Sequence, residues 1–234
     1  MRVFVNRKSV IQYSEMSKII LNKPTLITLY GFPGSGKTNF SRQLCDLISA
    51  AHVQGDRIRY ELFEQPRHDK QENEVVTHLM SYMAEEFLNA GISVVFDINA
   101  MRLSQRRNLR ELARKSRAAQ LLIWLQIDAE SAYLRGKTRD RRRNDDKYAV
   151  PLERPVFDNQ INHMQNPNNE DYVVISGKHT FNAQRSAVMK KLYDLKLVSG
   201  DIANSNLIKP GLVNLIPNIV GGRVDTSRRN IVIR

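Results

Sequence analysis

A chain of 234 residues, 41% of them hydrophobic, is long enough for one α/β domain with a real core and modest extensions. Its formal net charge of +12 suits anionic partners, whether nucleotides, nucleic acids or acidic metabolites, and does not choose among them. One cysteine, Cys45, excludes an intrachain disulfide, and no apolar run approaches the roughly 18 residues of a membrane span, so the sequence reads as a cytoplasmic protein that stays out of membranes.

Residues 1–22 read as an N-terminal extension packed on the domain. Arg2-Val3-Phe4-Val5 alternates like a short strand, and Ser9 is placed to cap a helix carrying Ile11, Tyr13, Met16, Ile19 and Ile20, stopped before Pro24. The domain itself is expected over 23–196. It opens with a strand at Thr25–Tyr30, followed by Gly31-Phe32-Pro33-Gly34-Ser35-Gly36-Lys37-Thr38 and a helix from residue 37 to 50 with Phe40, Leu44, Leu47 and Ile48 at helical spacing. Strand, glycine-rich turn and helix in this order form a phosphate loop: the glycines let backbone N–H groups close around a polyphosphate, and the helix points its unpaired N–H groups at the same charge. Lys37 adds a full positive charge, and the Thr38 hydroxyl is placed to ligate magnesium. ATP and Mg²⁺ are therefore the expected cofactors, held by Gly34, Ser35, Gly36, Lys37, Thr38 and the next residue, Asn39.

Beyond this helix the second strand has two candidate positions. Residues 51–55 are polar, while Arg57–Phe63 alternates like an edge strand; the earlier position is preferred because it puts Asp56 at the carboxyl end of a strand, where open parallel sheets bind ligands. The pattern then predicts a helix over about 72–89 closed at Gly91, a buried strand at 92–97 ending in Asp97, and a basic helix over 101–118 with Leu109 and Leu112 inward. The most apolar strand, 121–127, suits a sheet covered on both faces. A very basic helix over 130–143, a further helix to about Gln165, a strand at 172–175 and a helix over 182–195 complete the alternation. Five strands alternating with helices make a three-layer, doubly wound parallel α/β fold. Residues 197–234 differ: turns recur at Ser199-Gly200, Pro210-Gly211, Pro217-Asn218 and Gly221-Gly222 between apolar pairs, too broken for a helix. They read as a C-terminal arm laid on this domain or on a second copy, with Ile231-Val232-Ile233 able to add a strand beside Val3–Val5.

Phosphoryl transfer asks for a base at the acceptor hydroxyl, a metal site and cations over the moving phosphate. Asp56 is placed to take the hydroxyl proton, Arg59 one helical turn on to hold an anionic acceptor, and Asp97 to stand behind magnesium near Thr38 or to orient Arg59. Arg135 and Arg139, four apart on one helical face, read as a lid closing over the phosphates, within a lid spanning about 130–150. Singly, each has a plainer reading: a helix cap, an ion pair, a solvated basic face.

Taken together, the phosphate loop, Asp56-x-Ile58-Arg59-x-Glu61-Leu62-Phe63, Asp97-x-Asn99 with Arg106-Arg107, and Arg135-x-x-x-Arg139 resemble the P-loop kinase group that includes phage-type polynucleotide 5'-kinases. The resemblance spans about 25–195, and implies a nucleoside-kinase-like P-loop NTPase fold, Lys37 and Thr38 on ATP and magnesium, Asp56 as base, Arg59 on the acceptor phosphate, and lid arginines at 135 and 139. Gly55-Asp56-Arg57-Ile58-Arg59 is similar to adenylylsulfate kinases also, and the blocks resemble zeta-toxin-like kinases of nucleotide sugars. The strand before Asp56 is more polar than the pattern. Basic helices favour a nucleic-acid 5'-hydroxyl as acceptor, although no aromatic cluster is apparent and only Tyr60, Phe63, Tyr133 and Tyr148 are offered for base stacking. A small-molecule kinase is the alternative. A nucleotide-dependent RNA-binding switch would need a water-positioning residue, for which no distinct candidate is seen.

Overall fold

The computed structural model describes residues 18–139, 147–148, 150–206, 219–220 and 223–224. Five parallel strands form the sheet: β1 (Thr25–Tyr30), β2 (Ala50–Gln54), β3 (Ser93–Asn99), β4 (Ala119–Gln126) and β5 (Tyr172–Ser176), in the order β2-β3-β1-β4-β5. Cover on both faces suits the largely apolar sequences of β1 and β4. On one face Ile27, Leu29, Ile123 and Leu125 pack against Phe40 and Leu44 of α1 (Lys37–Leu47) and Val188, Met189 and Leu192 of α7 (Phe181–Asp194). On the other, Leu26, Val94 and Phe96 meet Val76, Met80 and Leu88 of α3 (Lys70–Asn89) and Leu109 and Ala113 of α4 (Leu103–Lys115). The expected three layers and doubly wound parallel sheet are therefore present.

Boundaries moved where capping chemistry was decisive. Asp69 accepts a hydrogen bond from the Glu72 amide at 2.9 Å, so α3 begins at Lys70, and Asp128 does the same for Ser131 at 2.8 Å, so α5 runs Ala129–Lys137. Residues 57–63 are not an edge strand: α2 spans Gly55–Leu62, directly after β2. The helix after the phosphate loop stops at Leu47, because Ile48 turns extended and residues 50–54 enter the sheet. Pro155 sits in the first turn of α6 (Arg154–Asn162), as its fixed φ permits.

Both expected extensions contribute to the core. Leu21 is buried with the α1/α7 cluster, and Ile19 is not helical but bridges to Ile48. Leu197, Val198 and Ala203 are buried there too, the last from a short helix α8 (Gly200–Asn206) in the stretch judged too broken for one. Further on, Ile219–Val220 (β6) and Arg223–Val224 (β7) pair antiparallel. The Val3–Val5 strand, the Ser9-capped helix and the Ile231–Ile233 strand fall outside the described residues, as does any contact of the arm with a second copy.

The basic helix α4 spends part of its charge internally. Arg106, 2% exposed, donates from Nε to Glu170 Oε2 at 2.7 Å and from Nη1 to Ala100 O at 2.9 Å, and its guanidinium lies 5.2 Å from the Tyr30 ring centre. Arg110 bonds to the other oxygen of Glu170, while Arg107 is exposed. Replacing Glu170 by Ala strands a buried guanidinium and should cost about 3–5 kcal/mol in urea unfolding, whereas Arg110→Ala, at a partly exposed pair member, should cost about 1 kcal/mol or less. Equal losses would mean that Glu170 does not neutralise a buried charge.

Candidate phosphate-loop active site

Positive φ angles at Gly34 (+82°) and Gly36 (+96°) form the turn that β1 feeds into α1. At Gly34 space is decisive as well, because a Cβ there would meet Ala132 O of α5 at 2.1 Å. Asn99, two residues past Asp97 in β3, holds the loop's first residue from both sides: Gly31 N–H donates to its Oδ1 at 3.3 Å, and its Nδ2 donates to Gly31 O at 2.8 Å. Lys37 Nζ donates to Gly31 O at 2.9 Å and Phe32 O at 2.8 Å. Burial lowers its pKa to about 7, against the opposing pull of Asp97.

Asp97 is a buried node. Its side chain is 4% exposed, it accepts from Thr38 Oγ1 at 3.3 Å, and its other oxygen lies 3.0 Å from His52 Nε2 on β2. The expected approach to Thr38 is therefore present, and the alternative duty of orienting Arg59 is not. Arg59 instead donates from Nη1 to Glu72 Oε2 at 3.1 Å and from Nη2 to Asn73 Oδ1 at 2.5 Å. It is 6% exposed. Glu72 also accepts the Arg67 and His68 backbone amides at 2.8 Å, tying the loop before α3 to α2. An acceptor phosphate would compete with this buried carboxylate for Arg59.

Asp56 lies in the first turn of α2. It is exposed, yet enough protein crowds its carboxyl to push the pKa up; the Asp97 charge raises it further, while Arg139, Arg59 and His68 pull the other way. The Arg139 charge acts on Lys37 as well, lowering it. Arg135 and Arg139 do not share a helical face, because α5 ends at Lys137. Arg135 donates to Gly177 O at 2.7 Å, on the turn after β5, and Arg139 to Val150 O at 3.2 Å. Arg141, Arg142 and Arg143, the rest of the basic stretch expected to be helical, lie outside the described residues. Asn39, itself exposed in the first turn of α1, accepts from Gln43 Nε2.

Cys45 is a core residue, its thiol pushed up to about 12 chiefly by burial. Two partners escaped the sequence reading. His52 gave no signal beyond a polar residue in a strand, whereas Glu72 stands three after Asp69 in the spacing of a capping box.

A family model described as "AAA domain" matches residues 26–167. The chain belongs to this family. No curated protein matches it in sequence. Among solved structures, it resembles a gluconokinase from Sinorhizobium meliloti 1021 (18% identity, 74% of this chain and 94% of that one, TM-score 0.53). It also resembles the Mycobacterium tuberculosis APS kinase CysC in complex with AMPPNP and APS (16%, 74% and 98%, TM-score 0.53). A third match is to the Pnkp1/Rnl/Hen1 RNA repair complex (18%, 60% and 44%, TM-score 0.50). At these identities the likeness establishes the fold alone, a P-loop NTPase-like fold shared with kinases. Among the described residues no helix is long and apolar enough to cross a membrane.

The enclosed Lys37 carries a direct test. Near pH 8 a group titrating at about 7 is mostly neutral, and a bound triphosphate should restore its charge, so ATP binding should take up close to one proton. At roughly pH 6 the lysine is already protonated and uptake should be small. Calorimetry in buffers of different ionisation enthalpy measures this, with Lys37→Ala as control; identical uptake in the variant would contradict the assignment.

Proposed function

We propose that this AAA-domain protein is an ATP-dependent phosphotransferase that moves the γ-phosphate to an acceptor hydroxyl, and that the acceptor is a nucleic-acid 5'-end. The observation that carries the reading is that Gln54, at the end of β2, pairs with Asp97, whose carboxylate accepts from Thr38 of the phosphate loop at 3.3 Å, so that Asp56, two residues beyond Gln54, follows a strand that ends beside the loop. A carboxylate whose pKa is raised is a better base near neutrality. Asp56 takes the proton of the acceptor hydroxyl; that oxygen bonds to the γ-phosphorus as the bond to the β-phosphate oxygen breaks, leaving ADP. Lys37 and Arg139 hold the charge of the moving phosphoryl group.

The donor set fits magnesium. Thr38 offers a hydroxyl and Asp97 a carboxylate 3.3 Å from it, both hard oxygens beside the loop. When bound, the ion would neutralise phosphate charge. Arg135 of α5, bonded to Gly177 O on the turn after β5, would serve the nucleotide rather than the acceptor.

The net charge of +12 and the exposed Arg102, Arg107, Lys115 and Arg117 support a polyanionic acceptor, as does likeness to a protein of an RNA repair complex. One observation favours a small acceptor instead: Arg106 and Arg110 are committed to Glu170 and subtract from the basic face of α4.

Transfer of labelled γ-phosphate to 5'-hydroxyl oligonucleotides, nucleosides, adenylylsulfate and nucleotide sugars separates these readings. Label on oligonucleotide 5'-ends is the expected result. Asp56→Asn should lower transfer by about 10²–10⁴-fold with ATP affinity nearly unchanged. Parallel loss of both would remove Asp56 as the base.

A further inference from the structure

Of the four aromatic residues that the sequence offers for base stacking, the fold keeps two. Phe63 packs against the core between β2, β3 and α3, and Tyr133 lies 5.4 Å from Phe157 with the Arg154 guanidinium 5.0 Å from its ring centre. Tyr60 and Tyr148 belong to none of the apolar cores of the described residues. Both are half-buried, and their ring centres are 6.1 Å apart. A third ring, His68, meets Tyr60 at 6.5 Å.

Each ring comes from a different segment, and each segment is tied to the acceptor side of the candidate site. Tyr60 stands four residues after Asp56 in α2, so the two share a helical face. His68 takes the left-handed conformation (φ +57°), and its amide donates at 2.8 Å to Glu72, the carboxylate that also holds Arg59. Tyr148 stands two residues before Val150, whose carbonyl accepts from Arg139. The rings therefore gather over the face of α2 that carries Asp56.

The planes of Tyr60 and Tyr148 are tilted by 40°, neither flat-stacked nor edge to face, the two arrangements in which rings satisfy one another. A flat ring entering between them would find a π-face on each side. Positive charge accompanies the rings: Lys147 Nζ is 5.1 Å from the Tyr148 ring centre, and Arg57 is exposed beside Asp56. Aromatic faces bordered by cations suit a base that carries phosphate, whereas a sugar without a base has no π-face to offer.

We propose that Tyr60 and Tyr148 form the stacking site for the base of the acceptor, which makes the acceptor a nucleotide unit and not a bare sugar. The role of that base in phosphoryl transfer rests on the kinase reading; the stacking site itself does not.

The test measures, by fluorescence anisotropy, the binding of two 3'-labelled oligonucleotides with 5'-hydroxyl ends to the full-length protein, with saturating MgADP to fill the phosphate loop. One ends in adenosine and the other in an abasic residue. Backbone contacts are common to both, so the ratio of affinities isolates the terminal base. The base should tighten binding about 5- to 150-fold. Tyr60→Ala and Tyr148→Ala should each bring the ratio close to one with circular dichroism unchanged, and Tyr60→Phe and Tyr148→Phe should preserve it. Adenosine 5'-phosphate and ribose 5-phosphate as competitors separate the two sources of a base: displacement by the nucleotide alone, at concentrations like those of the oligonucleotide, assigns the site to a small nucleotide, and resistance to both assigns it to a nucleic-acid end. A ratio of one in the native protein, or a preference that survives both alanine variants, would overturn the proposal. Base-dependent binding without phosphoryl transfer would keep the stacking site and remove the kinase reading; transfer with a ratio of one would do the opposite.

Discussion

At Gly34 the phosphate loop runs so close to α5 that a Cβ would lie 2.1 Å from Ala132 O, and at Gly31 a Cβ would lie 2.4 Å from Leu125 O at the end of β4. A loop wedged in this way cannot relax by moving off its neighbours, since both obstacles are backbone. Its position therefore fixes α5, and α5 sets where Arg135 and Arg139 begin their reach. The third strand completes the clamp through Asn99, which satisfies both backbone groups of Gly31. Strand order matters here: β3 and β4 flank β1, so both neighbours of the loop's parent strand end beside it.

That rigidity has an electrostatic consequence. Lys37, Asp97 and Asp56 are held where burial works against their charges or where they act on one another. Lys37 is pulled down to about 7 and Asp56 is pushed up. A phosphate donor supplies what Lys37 lacks, an anion in a place that excludes water, and the raised Asp56 is better suited to take a proton near neutrality. Asp97 adds to the rise of Asp56 and opposes the fall of Lys37, while bonded to Thr38 and in contact with His52.

Most of the sheet was legible because periodicity and turn chemistry act locally. The apolar runs of β1 and β4, the Gly91 helix stop and the glycines of the phosphate loop each announce their geometry within a few residues. What the sequence hid was pairing across distance. Arg59 looked available for a ligand, yet Glu72 takes it from thirteen residues away; Arg106 looked like surface charge, yet Glu170 and Tyr30 enclose it. Trp124 read only as part of an apolar strand, because its neighbours Tyr30 and Tyr172 come from other strands. The break of α5 at Lys137 separated Arg135 from Arg139 although their spacing suited one helical face. Residues 197–206 looked like the start of an arm because their apolar residues are spaced by turns, and only the groove beside α7 shows what they cover.

The account rests on one site that both binds a triphosphate and hands its terminal phosphoryl group to a hydroxyl. The most direct test is to measure, in one reaction, ADP, free phosphate and phosphorylated acceptor. The prediction is ADP formation that depends on acceptor, matched mole for mole by acceptor phosphate, with little free phosphate. ADP matched by free phosphate, at a rate that acceptors do not change, would make this protein a nucleotide hydrolase or switch and contradict the account.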